Sequence, residues 1–176
     1  MHQMIGFVGP SGTGKTLLID TLLEQFPDQL VRIRSLTTRP RRGPEDDVWY
    51  RFVTPAEIDA MEAAGELIQR SEYAGHSYAN HRHEIDALLE QRIGIMPIVE
   101  QGVLNFRNAG YQVDIIRIIP RDRKNMADAT RQQADLERAR IALPAILEIE
   151  NSFLPGGKER AIEQLIEYLK TSIFNG

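Results

Sequence analysis

Apolar residues along the chain follow two rhythms that alternate. Met4-Ile5-Gly6-Phe7-Val8, Ile95-Met96-Pro97-Ile98-Val99-Glu100-Gln101-Gly102 and Val113-Asp114-Ile115-Ile116-Arg117-Ile118-Ile119-Pro120 are near-continuous apolar runs. Such runs read as strands covered on both faces, the signature of a parallel sheet. Leu17-Leu18-Ile19-Asp20-Thr21-Leu22-Leu23 continues the first run as an apolar-faced helix, and Phe26-Pro27-Asp28 ends it. Leu30 to Arg34 then alternates as a second strand does, and Trp49 to Val53 reads as a short one. Thr54-Pro55-Ala56-Glu57 opens a helix with a hydroxyl cap, proline at the first helical position and an acid at the third, and Gly65 closes it. Glu66 to Tyr73 and Gly75 to Tyr78 predict two strand pieces joined by a turn, followed by a helix over Glu84 to Glu90. A last helix over Glu159 to Ile173 packs through Ala161, Ile162, Leu165, Ile166, Leu169 and Ile173. Strands alternating with helices predict an α/β protein, a doubly wound parallel sheet with helices on both faces. Pro97 is out of keeping with a central strand, because it removes a ladder hydrogen bond.

Composition narrows this little. The 176 residues, 42% of them hydrophobic, suffice for one domain over 1–176. A formal charge of -4 argues against a general nucleic-acid binder, whereas the local cluster Arg39, Arg41 and Arg42 suits a small anionic ligand. There is no cysteine, hence neither a disulfide framework nor a thiolate metal site. The first strand begins without a charged and apolar leader, and no apolar run approaches the roughly 18 residues that span a bilayer. A soluble cytoplasmic protein with no membrane partner is expected; the oligomeric state is not indicated.

The chemistry enters at the end of the first strand. Gly9-Pro10-Ser11-Gly12-Thr13-Gly14-Lys15-Thr16 fits the phosphate-binding pattern G-x-x-x-x-G-K-[ST] and lies between a strand and a helix, as the mechanism requires. Glycines allow positive φ and close backbone approach, so successive N–H groups converge on an anion at a helix start. Ser11, Gly12, Thr13, Gly14, Lys15 and Thr16 are the candidate ATP-binding residues. Lys15 reaches the β and γ phosphates, and Thr16 offers its hydroxyl to Mg2+. The loop identifies a triphosphate binder without saying what happens to the phosphate. The second informative stretch is Ser35-Leu36-Thr37-Thr38-Arg39-Pro40-Arg41-Arg42-Gly43. Arg39 and Arg42, in a loop stiffened by proline, can present several fixed donors to one phosphate; Arg41 joins them or faces solvent.

The phosphate loop, followed by Ser-x-Thr-Thr-Arg, a second arginine, an acidic turn and Tyr50-Arg51-Phe52, resembles the guanylate kinase family. The resemblance is clear from Met4 to about Tyr78 and looser beyond. It implies that Arg39, Arg42, Tyr50 and Tyr78 bind the phosphate of an acceptor nucleotide, with Ser35 against its base. It also implies a core of 1–34, 81–120 and 141–176, an acceptor-binding subdomain with a small inserted sheet at 35–80, and a helical lid at 121–140 whose Arg131 and Arg138 close over the transferring phosphoryl group. The implied reaction is ATP-dependent phosphorylation of a nucleoside monophosphate, GMP first, with ATP and Mg2+ bound and Lys15, Arg39, Arg131 and Arg138 in catalytic roles. A kinase for another phosphorylated acceptor, such as a ribose phosphate, and a non-catalytic binding module of this family are the alternatives.

Three places depart from the family pattern. Gln69 stands where a glutamate is expected to accept hydrogen bonds from guanine, and an amide both donates and accepts, without charge assistance. Restoring the acid by Gln69→Glu is therefore expected to favour GMP. Tyr78-Ala79-Asn80 replaces the usual Tyr-Gly-Ser/Thr, and Pro97 and Val99 occupy the places of two strand aspartates, leaving Glu100 as the nearest acid. His76, His81 and His83 lie close together with no carboxylate or cysteine at a ligand spacing and read as a polar loop, not a metal site. Glu45, Asp46 and Asp47 receive no catalytic role.

Overall fold

The computed structural model describes residues 3–121, 141–152 and 154–174. At its centre lies β1 (Gln3–Val8), between β7 (Ile93–Pro97) and β8 (Gln112–Pro120), with β2 (Leu30–Arg32) and β9 (Leu147–Asn151) outermost. All neighbours in this five-stranded sheet, in the order β2-β7-β1-β8-β9, run parallel. Alternate residues of β1 serve opposite faces, as a strand's period of two requires. Ile5 and Phe7 join Leu18, Ile19 and Leu22 of α1 (Lys15–Gln25) and Ala161 and Leu165 of α5 (Gly157–Tyr168), all buried. Met4 and Val8 join Ile85 of α3 (Arg82–Leu88) and Val103 and Phe106 of α4 (Glu100–Asn108) on the other face. This two-faced burial is why the strands read as unbroken apolar runs. After α5 the last expected helical turn, Leu169–Ile173, continues in a wider π-type winding with Leu169 buried.

The sheet corrects one reading. The apolar run Ile95 to Gly102 is not a single strand: β7 stops at Pro97, and α4 starts at Glu100 with Val99 as its cap. Ile98 belongs to the turn and covers Gly6, where a Cβ would stand 2.7 Å from Ile98 Cγ2, while Gly102 of α4 packs on the same Ile98 side chain. Pro97 also finds its explanation. Ile95 turns its polar backbone groups toward β2, its carbonyl accepting from Ile33 N–H (3.1 Å), and Pro97, two residues on, faces the same way past the end of β2. On the β1 side the ladder continues unbroken through Ile98 N–H to the Phe7 carbonyl (3.0 Å). The missing donor therefore falls where no strand needs it.

A second, four-stranded sheet has the order β4 (Tyr50–Phe52), β3 (Ser35–Thr37), β6 (His76–His81), β5 (Leu67–Tyr73); β3 and β4 are parallel and the other pairs antiparallel. Behind it α2 (Pro55–Ala63) buries Ile58 against Leu36 and Ala79. The helix begins on a complete capping box, with Thr54 Oγ1 accepting from Glu57 N–H (3.2 Å) and Glu57 Oε2 accepting from Thr54 N–H (2.6 Å). The β5 register shifts between Leu67 and Gln69, a bulge that sets Gln69 directly opposite Asn80 of β6. No described helix is long and apolar enough to cross a membrane.

Candidate active site

A cleft of about 510 Å³ opens between the C-terminal ends of the parallel strands and the second sheet. Ser11 to Leu17 line one end, and Ser35, Arg39, Arg42, Tyr50, Gln69 and Tyr78 line the other. Every expected nucleotide-binding residue within the described chain is thus on one cavity. Arg131 and Arg138 lie outside the described residues.

Gly9 starts the loop at φ +145°, and a Cβ there would sit 2.4 Å from the Ile118 carbonyl oxygen of β8. Only glycine lets the chain turn off β1 this close to its neighbour. Gly12 (φ +79°) and Gly14 (φ +83°) supply the left-handed turns that bring the chain into α1 at Lys15. No side chain caps that helix. Its first-turn N–H groups lack intrahelical acceptors and carry the positive end of the dipole, which favours an anion there. Lys15 folds over the loop, its Nζ donating to the carbonyls of Gly9 (2.8 Å) and Pro10 (2.7 Å), so the ammonium already sits at the loop's mouth. Two contacts absent from the sequence reading brace the loop. Asn151, at the end of β9 and 2% exposed, donates from Nδ2 to the Thr13 carbonyl (2.8 Å), and Ser11 Oγ lies 2.9 Å from Tyr73 Oη of the small sheet. The position of Asn151 at a C-terminal strand end, where ligand sites of parallel sheets gather, was the available signal.

At the opposite end Arg39 is only 5% exposed. Its Nη2 pairs with Asp46 Oδ1 at 2.9 Å, and its guanidinium carbon lies 5.0 Å from the centre of the Tyr50 ring. Tyr50 in turn meets Tyr78 edge to face at 5.9 Å. Asp46 therefore has a positioning role that its sequence context did not reveal. Burial opposes the Arg39 charge, but the hydrogen bond and charge of Asp46 outweigh it and raise the Arg39 pKa. The same hydrogen bond, with a second from the Arg42 backbone, holds the Asp46 carboxyl below the usual range despite its burial. Burial likewise pushes the Tyr50 hydroxyl up. The three arginines divide: Arg39 is fixed in the wall, Arg42 reaches the cleft from the surface, and Arg41 pairs outside with Asp47 at 2.7 Å.

Between the two ends the wall is Met96, Pro97, Ile98, Val99 and Gly102, apolar where the resemblance had led one to look for aspartates. Glu100 is the first residue of α4. Among the described residues no group of three His, Asp or Glu side chains is arranged to hold a metal ion. His81 faces Glu66 (Nε2 to Oε2, 3.5 Å), and His76 contributes to the cleft wall.

Comparison with known proteins gives one family. The profile described as guanylate kinase matches residues 1–153. A guanylate kinase of Thermosynechococcus vestitus is 38% identical over 120 residues, which are 67% of this chain and 62% of that one, so the match spans less than two thirds of the relative. A guanylate kinase of Nocardia farcinica is 28% identical over 176 residues, 93% of this chain and 91% of its own. The crystal structure of guanylate kinase from Anaplasma phagocytophilum shares the fold, with a TM-score of 0.73 at 20% identity over 96% of this chain and 84% of that one.

Proposed function

The chain belongs to the guanylate kinase family, and from that premise we propose that it transfers the γ-phosphoryl group of ATP to the phosphate of GMP, giving ADP and GDP. One observation carries the reading: a single cleft has a glycine-rich loop at a helix start at one end and, at the other, a buried, carboxylate-fixed arginine against Tyr50, which itself meets Tyr78. Two phosphate sites facing each other across one cavity suit direct transfer between two nucleotides better than hydrolysis.

In the proposed reaction an oxygen of the acceptor phosphate attacks the γ phosphorus in line, and the bond to the ADP oxygen breaks. Amides of Ser11 to Thr16 bind the donor phosphates. Lys15 exchanges its contacts with the Gly9 and Pro10 carbonyls for β and γ oxygens and stabilises the charge that develops there. Arg39, already oriented by Asp46, and Arg42 hold the acceptor phosphate; Tyr50 and Tyr78 add hydroxyl donors. Because Arg39 is ordered before the substrate arrives, its immobilisation does not count against binding. Thr16, on the cleft wall, would hold Mg2+ through its hydroxyl together with the ATP phosphates, and the ion would neutralise phosphate charge; a single protein hydroxyl fits an ion which retains waters and takes most of its ligands from phosphates. On this reading residues 35–80 are the acceptor-binding subdomain, 121–140 with Arg131 and Arg138 the lid, and the enzyme works on nucleotides in the cytoplasm.

An ADP-release assay with ATP and Mg2+ across GMP, dGMP, AMP, UMP, CMP and ribose phosphates tests this. GMP is expected to be the best acceptor. Turnover of a sugar phosphate alone overturns the acceptor. Thermal stabilisation by ATP with no turnover of anything points instead to the non-catalytic module.

A further inference from the structure

The base end of the cleft holds a buried polar chain whose direction is fixed by one backbone carbonyl. Asn80, fully buried, places Nδ2 3.3 Å from the Arg34 carbonyl and 3.3 Å from Ser35 Oγ, while its Oδ1 accepts from Gln69 Nε2 at 2.7 Å. A carbonyl can only accept, so the Arg34 oxygen requires the amino side of Asn80 to face it. That leaves Asn80 Oδ1 toward Gln69, and Gln69 must answer with its own amino group. Its carbonyl Oε1 is left over, buried and without a hydrogen-bond partner, on a side chain 7% exposed in the cleft wall. A buried acceptor in that condition incurs a desolvation cost that a ligand N–H would relieve. Ser35, on the other side of the same Asn80 amide, accepts through one oxygen lone pair and keeps its hydroxyl hydrogen to donate and a second lone pair to accept.

We infer that Asn80 is a positioning residue that fixes Gln69 Oε1 as an acceptor beside the Ser35 hydroxyl, free to donate, and that this pair selects 6-oxopurine monophosphates as a class, GMP and IMP alike, against AMP. The inference rests on the kinase reading of the cleft. The edge shared by guanine and hypoxanthine shows an acceptor, O6, beside a donor, N1–H, and complements the pair. Adenine shows a donor beside an acceptor and leaves Gln69 Oε1 facing a lone pair. Guanine's extra 2-amino group runs parallel to N1–H, and one oxygen meets only one of these in line, whereas a carboxylate meets both. Gln69's other polar atom, Nε2, is an amino group that donates to Asn80 and accepts from nothing, so it offers no second acceptor to the 2-amino group.

The same chain reverses the sequence-based expectation for Gln69→Glu. With Asn80 in place, a carboxylate oxygen arrives where an amino group stood 2.7 Å from Asn80 Oδ1. Either two oxygens face each other, or Asn80 turns over, sets its oxygen against the Arg34 carbonyl and takes up the Ser35 hydrogen. The acid therefore works only if residue 80 donates.

The test compares initial rates of the full chain with GMP, IMP and AMP at saturating ATP and Mg2+. In the wild type, kcat/KM for IMP is expected within about tenfold of GMP, the worth of one neutral hydrogen bond, and AMP about a hundredfold or more below both. IMP more than about thirtyfold below GMP, or no better than AMP, overturns the inference. Wild type that phosphorylates neither GMP nor IMP fails the kinase reading itself, which keeps the two failures apart. In the variants, Gln69→Glu alone should lower kcat/KM for GMP about tenfold, and Gln69→Glu with Asn80→Ser should recover it while IMP stays low. A single Gln69→Glu variant equal to or better than wild type on GMP removes the role of Asn80, and the wild-type comparison decides the substrate class even if a variant fails to fold.

Discussion

Replacing Arg39 by lysine keeps the positive charge and removes the fork. In the structure one arm of the guanidinium, Nη2, is committed to Asp46 Oδ1 at 2.9 Å, and Nη1 lies 3.3 Å from the Pro40 carbonyl, so the remaining N–H groups are what the acceptor phosphate receives. A lysine ammonium is a single point that Asp46 attracts as strongly as a phosphate does, and it cannot serve both with fixed geometry. The retained ammonium leaves a net loss at the phosphate of one charge-assisted hydrogen bond, worth roughly 1.5–3 kcal/mol. At about 1.4 kcal/mol per factor of ten, Arg39→Lys should raise the GMP KM at least tenfold and toward a hundredfold. The ATP KM should move less than about threefold, because Lys15 and the loop amides lie at the other end of the cleft. Stability should fall by only about 1 kcal/mol, since Asp46 stays paired and only part of the contact with the Tyr50 ring is lost. Initial rates of ADP release, with each substrate varied at saturation of the other, read both constants. An equal rise in the two KM values, or none in that of GMP, would refute the placement of Arg39 on the acceptor.

Two further predictions concern the scaffold of the site. The Asp46 carboxyl titrates below its unfolded value, chiefly through the Arg39 hydrogen bond, so its stabilising contribution is complete above the unfolded carboxylate range near about 3.9 and disappears as pH falls through the lower folded value. Urea unfolding of wild type and Asp46→Asn should differ by a constant amount from pH 7 to about 5 and converge below about pH 4; a gap that widens in acid would contradict the pairing. Gly9→Ala should cost about 3 kcal/mol or more, from a strained φ and a contact with the Ile118 carbonyl, and abolish stabilisation by ATP. Gly65→Ala, also at positive φ (+71°) but with nothing within 4 Å, should cost only about 1 kcal/mol, and equal losses would mean that the Gly9 contact is unimportant.

What could be read in the sequence was local. The phosphate loop is contiguous from Gly9 to Thr16, and its mechanism needs only a strand before and a helix after, both visible as apolar rhythm. The candidate acceptor residues were singled out by a motif, and the structure sets Ser35, Arg39, Arg42, Tyr50, Gln69 and Tyr78 on one cleft. What could not be read depends on contacts made at a distance or on a choice between equivalent neighbours. Arg39, Arg41 and Arg42 look alike in a string; it is the short 3-10 turn Pro44–Val48 that returns Asp46 to Arg39 and Asp47 to Arg41, burying one arginine and leaving the other in solvent. Asn151 braces the loop from 138 residues away. The start of α4 was hidden because Ile98 and Val99 extend the apolar run of β7 into a turn that is itself buried against β1 and the cleft. The amide polarity of Gln69 belongs to no residue alone, since it comes from a backbone carbonyl through Asn80.

The central claim is direct transfer between two nucleotides held in one cleft, and the phosphorus balance tests it most directly. Phosphorus-31 NMR of ATP, Mg2+ and GMP with the wild-type chain should show ADP and GDP rising together in equal amounts, with no inorganic phosphate. Lys15→Ala should suppress both by at least about a thousandfold, since its ammonium, already at the loop's mouth, stabilises charge developing on the transferred group. ADP accompanied by inorganic phosphate rather than GDP, or a Lys15→Ala rate within tenfold of wild type, would contradict the account.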